Sequence, residues 1–98
     1  MTRPGFEDVR RAVEEVKGEK WEAFRDRQGD WGRDVALWQT RCQTGLTLPE
    51  IAKAAGVADH RAAGKAVERM EKRMREEREL KRIAAQVKNI VLLLTGTP

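Results

Sequence analysis

Ninety-eight residues are enough for one domain with a modest core, and too few for a catalytic domain beside a separate binding domain. Lys and Arg number 20 against 16 Asp and Glu, a formal +4, which suits an acidic partner without demanding one; most of the 37% charged residues are expected simply to solvate helices. A single His60 and a single Cys42 cannot supply a structural zinc site, the absence of tyrosine excludes a tyrosine nucleophile, and the eight glycines are scattered rather than set as a phosphate loop, so neither catalysis nor a cofactor is expected.

The first residues, "MTRPGFEDVRR", contain no apolar stretch of the kind a signal peptide needs. The longest apolar run, "IVLLL", is far short of a membrane span, so a cytoplasmic chain with no membrane partner is expected. Cys42 cannot form an internal disulfide and is expected to be an inert, buried thiol.

Phe6, Val9, Val13 and Val16 recur at three- and four-residue steps, the apolar stripe of a first helix that should end near Gly18. "GEKWEAFRDRQGD" predicts a short second helix with Trp21 and Phe24 inward, closed by Gly29. Asp30 can cap a third, on which Trp31, Val35, Trp38 and Cys42 form one stripe, the expected heart of the core.

Thr47 followed three residues later by Glu50 is a capping box, and Pro49 is tolerated because first-turn amides lack partners within the helix. A fourth helix should therefore start at Leu48 and stop at Gly56, which suits a left-handed turn. Asp59 can then cap a long fifth helix. On that helix Ala63, Ala66, Val67, Met70 and Met74 share one face, while Arg61, Lys65, Lys72 and the slightly offset Arg69 share the other, interrupted by Glu68. Leu80, Ile83, Val87, Ile90 and Leu94, backed by Ala84 and Val91, define a final helix at about 79–95, to be buried against the first helix or against a second chain.

The whole of 1–98 thus reads as a single all-α, compact multi-helix domain with an extra C-terminal helix. The pair at about 47–75, a short capped helix, a tight glycine turn and a longer helix with an exposed basic stripe, has the pattern of a helix-turn-helix, although a plain hairpin in a helical bundle has the same periodicity.

The residues themselves carry a resemblance. "RDVALWQTRCQTGLTLPEIAKAAGVADHRAAGKAVERMEK" resembles the C-terminal DNA-binding domain of the bacterial replication initiator DnaA, with Arg33, Val35, Ala36, Trp38, Thr44, Leu48, Pro49, Ile51, Gly56, Asp59 and His60 in register over roughly 31–73. The likeness is closer still to the DnaA-like tail of the REP-associated, IS200-like transposases, which "GDWGRDVALW", "TGLTLPEIA" and "DHRAAGKAV" follow almost word by word. The resemblance implies a fold of the DnaA domain IV or Trp-repressor kind and a non-catalytic domain that binds double-stranded DNA, with a hairpin or another nucleic acid also open. It departs from DnaA at Ala58, where the signature arginine stands, and at Arg61 and Ala62, which replace the two hydroxyl residues that contact the duplex, so the DnaA target site does not carry over.

By position in the resemblance, Arg33 is expected to reach the minor groove, where arginines favour narrow A·T-rich DNA. Lys53 is expected to meet phosphate, and Asp59 and His60, at the start of the recognition helix, to belong to the DNA contact, His60 donating to a base edge or phosphate or else capping the turn. Arg61 and Lys65 are the candidates for major-groove base contact, with Arg69 continuing the face. Trp31 and Trp38 are expected in the core rather than as stacking platforms. Gly64 within the fifth helix is expected either to let the backbone approach DNA or simply to be tolerated there. The rival expectation is a helical protein interaction module that keeps the fold without specific DNA binding, and the final helix allows a monomer or a weak homodimer.

Overall fold

The computed structural model describes residues 4–27 and 29–96, and within them six helices and no strand. They are α1 (Phe6–Lys17), α2 (Trp21–Phe24), α3 (Trp31–Thr44), α4 (Leu48–Ala55), α5 (His60–Glu76) and α6 (Arg78–Leu94). The start of the chain, where no signal segment is expected, lies partly outside the described residues.

Local chemistry sets most boundaries. Asp30 accepts from Gly32 N at 2.8 Å and starts α3. Thr47 and Glu50 cap α4 reciprocally, the Glu50 carboxylate accepting from Thr47 N at 2.9 Å. Gly56 takes φ 75°, a left-handed conformation that returns its N–H to the carbonyls of Ala52 and Lys53 and ends α4. Between α5 and α6 the break falls at Glu77, which adopts extended geometry (φ −122°, ψ 105°) with neither glycine nor proline to mark it.

α3 is the hub. It packs against all five other helices, and Gly32, Arg33, Asp34, Val35, Ala36, Leu37, Gln39 and Thr40 are all buried. That corrects the expected stripe. Val35 is sealed, but Trp31 and Trp38 are only half-buried and Cys42 is exposed, because a helix enclosed by five neighbours has no single core face. Cys42 stands near the C-terminal end of α3, beyond that enclosure. Its thiol is nevertheless pushed up by partial desolvation and by Glu71.

Around the hub the core closes with specific contacts. Trp21 stacks edge-on against Phe6 and Phe24, both at 5.3 Å between centroids, and donates its indole N–H to Ala55 O at 2.9 Å, tying α2 to the end of α4. Buried Gln39 donates to Ala84 O at 2.6 Å and so ties α3 to α6. Gly32 allows Lys17 and Phe24 to approach the helix, since an added Cβ would lie 2.6 Å from Lys17 Cδ and 2.9 Å from Phe24 Cε2. Lys17 in turn sits over the rings of Trp31 and Phe24 and pairs with Asp30 at 3.2 Å.

The long helices bury the faces that periodicity assigns, with one shift. On α5 Ala63, Ala66 and Met70 are buried and Val67 and Met74 pack against them. α6 packs on α1, one of the two partners open to it, but its sealed positions are Leu80, Ala84, Val87 and Val91. Ile83 and Ile90 lie at the edge of that face, and Leu94 is 39% exposed. The described helices include none long and apolar enough to cross a membrane.

Candidate nucleic-acid interface

The turn between α4 and α5 is short, and the two helices pack on each other. Gly64 faces this contact: a Cβ there would meet only the end of the Leu48 side chain, Cδ1 at 3.3 Å. Asp59 opens α5, accepting from Arg61 N at 2.9 Å. His60 follows, exposed, with Nδ1 3.7 Å from Asp59 Oδ1, too far for a hydrogen bond. Its ring is therefore free of the cap.

Arg61 and Lys65, one turn apart, are both exposed on the side of α5 opposite Ala63, Ala66 and Met70. Neither has an ion-pair partner among the described residues. Between this face and the first turn of α3 lies a cleft of about 340 Å³ lined by Arg33, Asp59, Arg61, Ala62, Lys65 and Arg69. Five of the seven expected contact residues therefore converge on one concavity, and it is strongly basic.

Two of these five differ from expectation in what they can reach. Arg33 is 8% exposed and forms part of the cleft wall, so it cannot project into a neighbouring groove from where it stands. Arg69 is not free on the stripe. It turns inward to Asp34, which is fully buried, with Nε to Oδ2 at 2.9 Å and Nη2 to Oδ1 at 3.0 Å. The Asp34 carboxylate holds the Arg69 guanidinium above its ordinary value, against the pull of partial burial. Arg73 approaches the same carboxylate at 3.6 Å and donates to Gly29 O at 3.2 Å.

Lys53 is exposed on α4 but lies outside this cleft, along a second concavity with Arg10, Arg25 and Gly56. Arg25, which the sequence reading missed, lies against the α4 to α5 turn: its Nη1 would be 3.3 Å from a Cβ on Gly56. Nothing local in the sequence marks it, since it follows α2 and meets the turn only through tertiary packing. Asp34 was missed too. No local signal marks it, since its partners Arg69 and Arg73 lie on α5 and meet it only through tertiary packing.

Among the described residues no group of three or more histidine, cysteine or acidic side chains is placed to hold a metal ion. No protein-family model matches the chain, and no curated protein and no solved structure matches it.

Proposed function

We propose that this chain is a non-catalytic, cytoplasmic DNA-binding domain of the helix-turn-helix type, with α5 as the recognition helix and double-stranded DNA as its partner. The observation that carries the reading is the pair Arg61 and Lys65: two exposed cations without ion-pair partners, one turn apart at the start of a long helix, opposite the face that anchors it. Arg61 and Lys65 meet base edges in the major groove, His60 lies at the entry of the helix, and Lys53 and Arg25 flank the turn as phosphate contacts. The resemblance of "GDWGRDVALW", "TGLTLPEIA" and "DHRAAGKAV" to the DnaA-like tails of REP-associated transposases supports the same reading. Titration of a mixed-sequence duplex at several salt concentrations tests it, and selection of bound sequences from a random pool identifies the preferred site.

The rival reading, a helical interaction module, draws on a different observation. Leu93 is 80% exposed at the end of α6, beside Leu94, an apolar end that a partner helix or a second copy could cover in a weak homodimer. A Leu93→Lys variant that abolished self-association and left duplex binding intact would separate the two roles.

A further inference from the structure

Arg33 has a requirement that the folded chain does not meet. Its side chain is buried at 8% exposure, its Nε is sealed from solvent with no hydrogen-bond partner, and no hydrogen bond or ion pair from the described residues reaches its guanidinium. A guanidinium is a permanent cation with five donors; here only the Nε–H is sealed, and the four Nη donors, which no acceptor among the described residues meets, remain accessible on the cleft that Arg33 lines. The carboxylate next to Arg33 in the chain is committed elsewhere, and that of Asp59, which lines the cleft, pairs with none of its cations. Asp34 is gripped by Arg69 and approached by Arg73, and Asp59 Oδ1 caps α5 through Arg61 N.

The cleft that Arg33 lines is open to solvent on the side of Arg61 and Lys65, two exposed cations on flexible stems. We infer that this cleft is a seat for a phosphate group, with Arg33 as its fixed ligand, while the exposed Arg61 and Lys65 at its mouth add positive potential and keep their side chains for base edges. A tetrahedral oxyanion supplies acceptors for the accessible Nη donors, in the two-pronged geometry that the planar arginine fork favours. The occupant is a backbone phosphate of the duplex that α5 approaches, which rests on the duplex-binding reading above; inorganic phosphate shares the chemistry. Arg33 therefore anchors the docked duplex by one phosphate and reads no minor groove.

The test follows the Arg33 Nε–Hε resonance of the ¹⁵N-labelled chain by NMR, with inorganic phosphate and separately with a mixed-sequence duplex, each against chloride at equal ionic strength. Phosphate and duplex are both expected to shift that resonance, and phosphate is expected to raise the melting temperature relative to chloride. Arg33→Met, which replaces the buried cation with an apolar side chain, is expected to lose the phosphate-dependent stabilisation and to lower the salt slope of duplex binding by about one. A shift with the duplex but not with phosphate supports a seat specific to the polymer backbone. A shift with phosphate and no duplex binding keeps the seat and overturns the duplex reading. Duplex binding that leaves the Arg33 resonance in place, with an unchanged salt slope in Arg33→Met, overturns the seat and leaves the duplex reading standing. Absence of both responses overturns both. The resonance is read on the unmodified chain, so the outcome does not depend on how Arg33→Met folds.

Discussion

Asp34 on α3 and Arg69 on α5 are joined by a two-pronged ion pair at 2.9 and 3.0 Å, and the carboxylate is fully buried. The pair fixes the long helix that carries Arg61 and Lys65 against the hub helix that carries Arg33. Arg69 is thus a structural arm of the interface, and a buried carboxylate is the reason it is turned inward.

Removing the arms of this pair should have unequal effects. Arg69→Ala leaves Asp34 buried with only the longer Arg73 approach at 3.6 Å, and should destabilise the fold by roughly 3 kcal/mol. Asp34→Asn should cost less, about 1–2 kcal/mol, because the Arg69 side chain is one-third exposed and can turn to solvent. Urea unfolding of both variants checks the order, and equal losses would contradict it.

Two glycines in helices should respond oppositely to alanine. Gly32→Ala drives a methyl to within 2.9 Å of the Phe24 ring and closer to Lys17, and should destabilise by about 1–3 kcal/mol through forced repacking. Gly64→Ala meets only the end of the Leu48 side chain at 3.3 Å, and the gain in helix propensity of about 1 kcal/mol should leave it neutral or stabilising. Thermal melts of the two single variants provide the comparison.

The α4 capping box gives a pH signature. The Thr47 N–H, followed by its hydroxyl, holds the Glu50 carboxylate below the usual glutamate range. A depressed folded value means that the stabilisation is fully present above the unfolded glutamate pKa and is lost as pH falls through the folded one. Wild type should therefore exceed Glu50→Gln in stability at neutral pH, and the gap should close in acid. Thr47→Ala should cost about 1 kcal/mol at neutral pH. A gap between wild type and Glu50→Gln that did not change with pH would contradict the assignment.

Cys42 is exposed yet should react slowly. Desolvation, then Glu71, raise its thiol above the ordinary cysteine value, so less thiolate is present at neutral pH. Alkylation by iodoacetamide should be slower than for a free cysteine in a peptide and should accelerate with rising pH. Glu71→Gln should speed it slightly. A rate at or above that of the peptide would contradict this environment.

What the sequence made legible was governed by local chemistry. Gly18, Asp30, the Thr47 to Glu50 box, Gly56 and Asp59 act within a few residues of themselves, and each marks a boundary where the structure has one. Periodicity also placed Ala63, Ala66 and Met70 inward on α5. It failed on α3, where enclosure on all sides leaves no period to read: Leu37, Gln39 and Thr40 are sealed and Cys42 is not. On α6 the true face runs through Ala84 and Val91, the residues taken only as backing for the expected stripe. The candidate site was legible as a set of cations. Which of them are free depends on partners 35 residues away in the chain for Arg69 and on tertiary enclosure for Arg33, neither of which a local pattern encodes.

The central claim is that α5 docks on duplex DNA through Arg61 and Lys65, and it is tested most directly by duplex binding measured against salt for wild type and for Arg61→Ala with Lys65→Ala. If about four phosphates are neutralised, log K for wild type should fall against log salt with a slope near −3.6. On the preferred site each substitution should cost roughly 1–3 kcal/mol, and far less on random DNA, whereas Lys53→Ala should weaken all sequences alike. No binding at low salt, or a flat salt response, would contradict the claim.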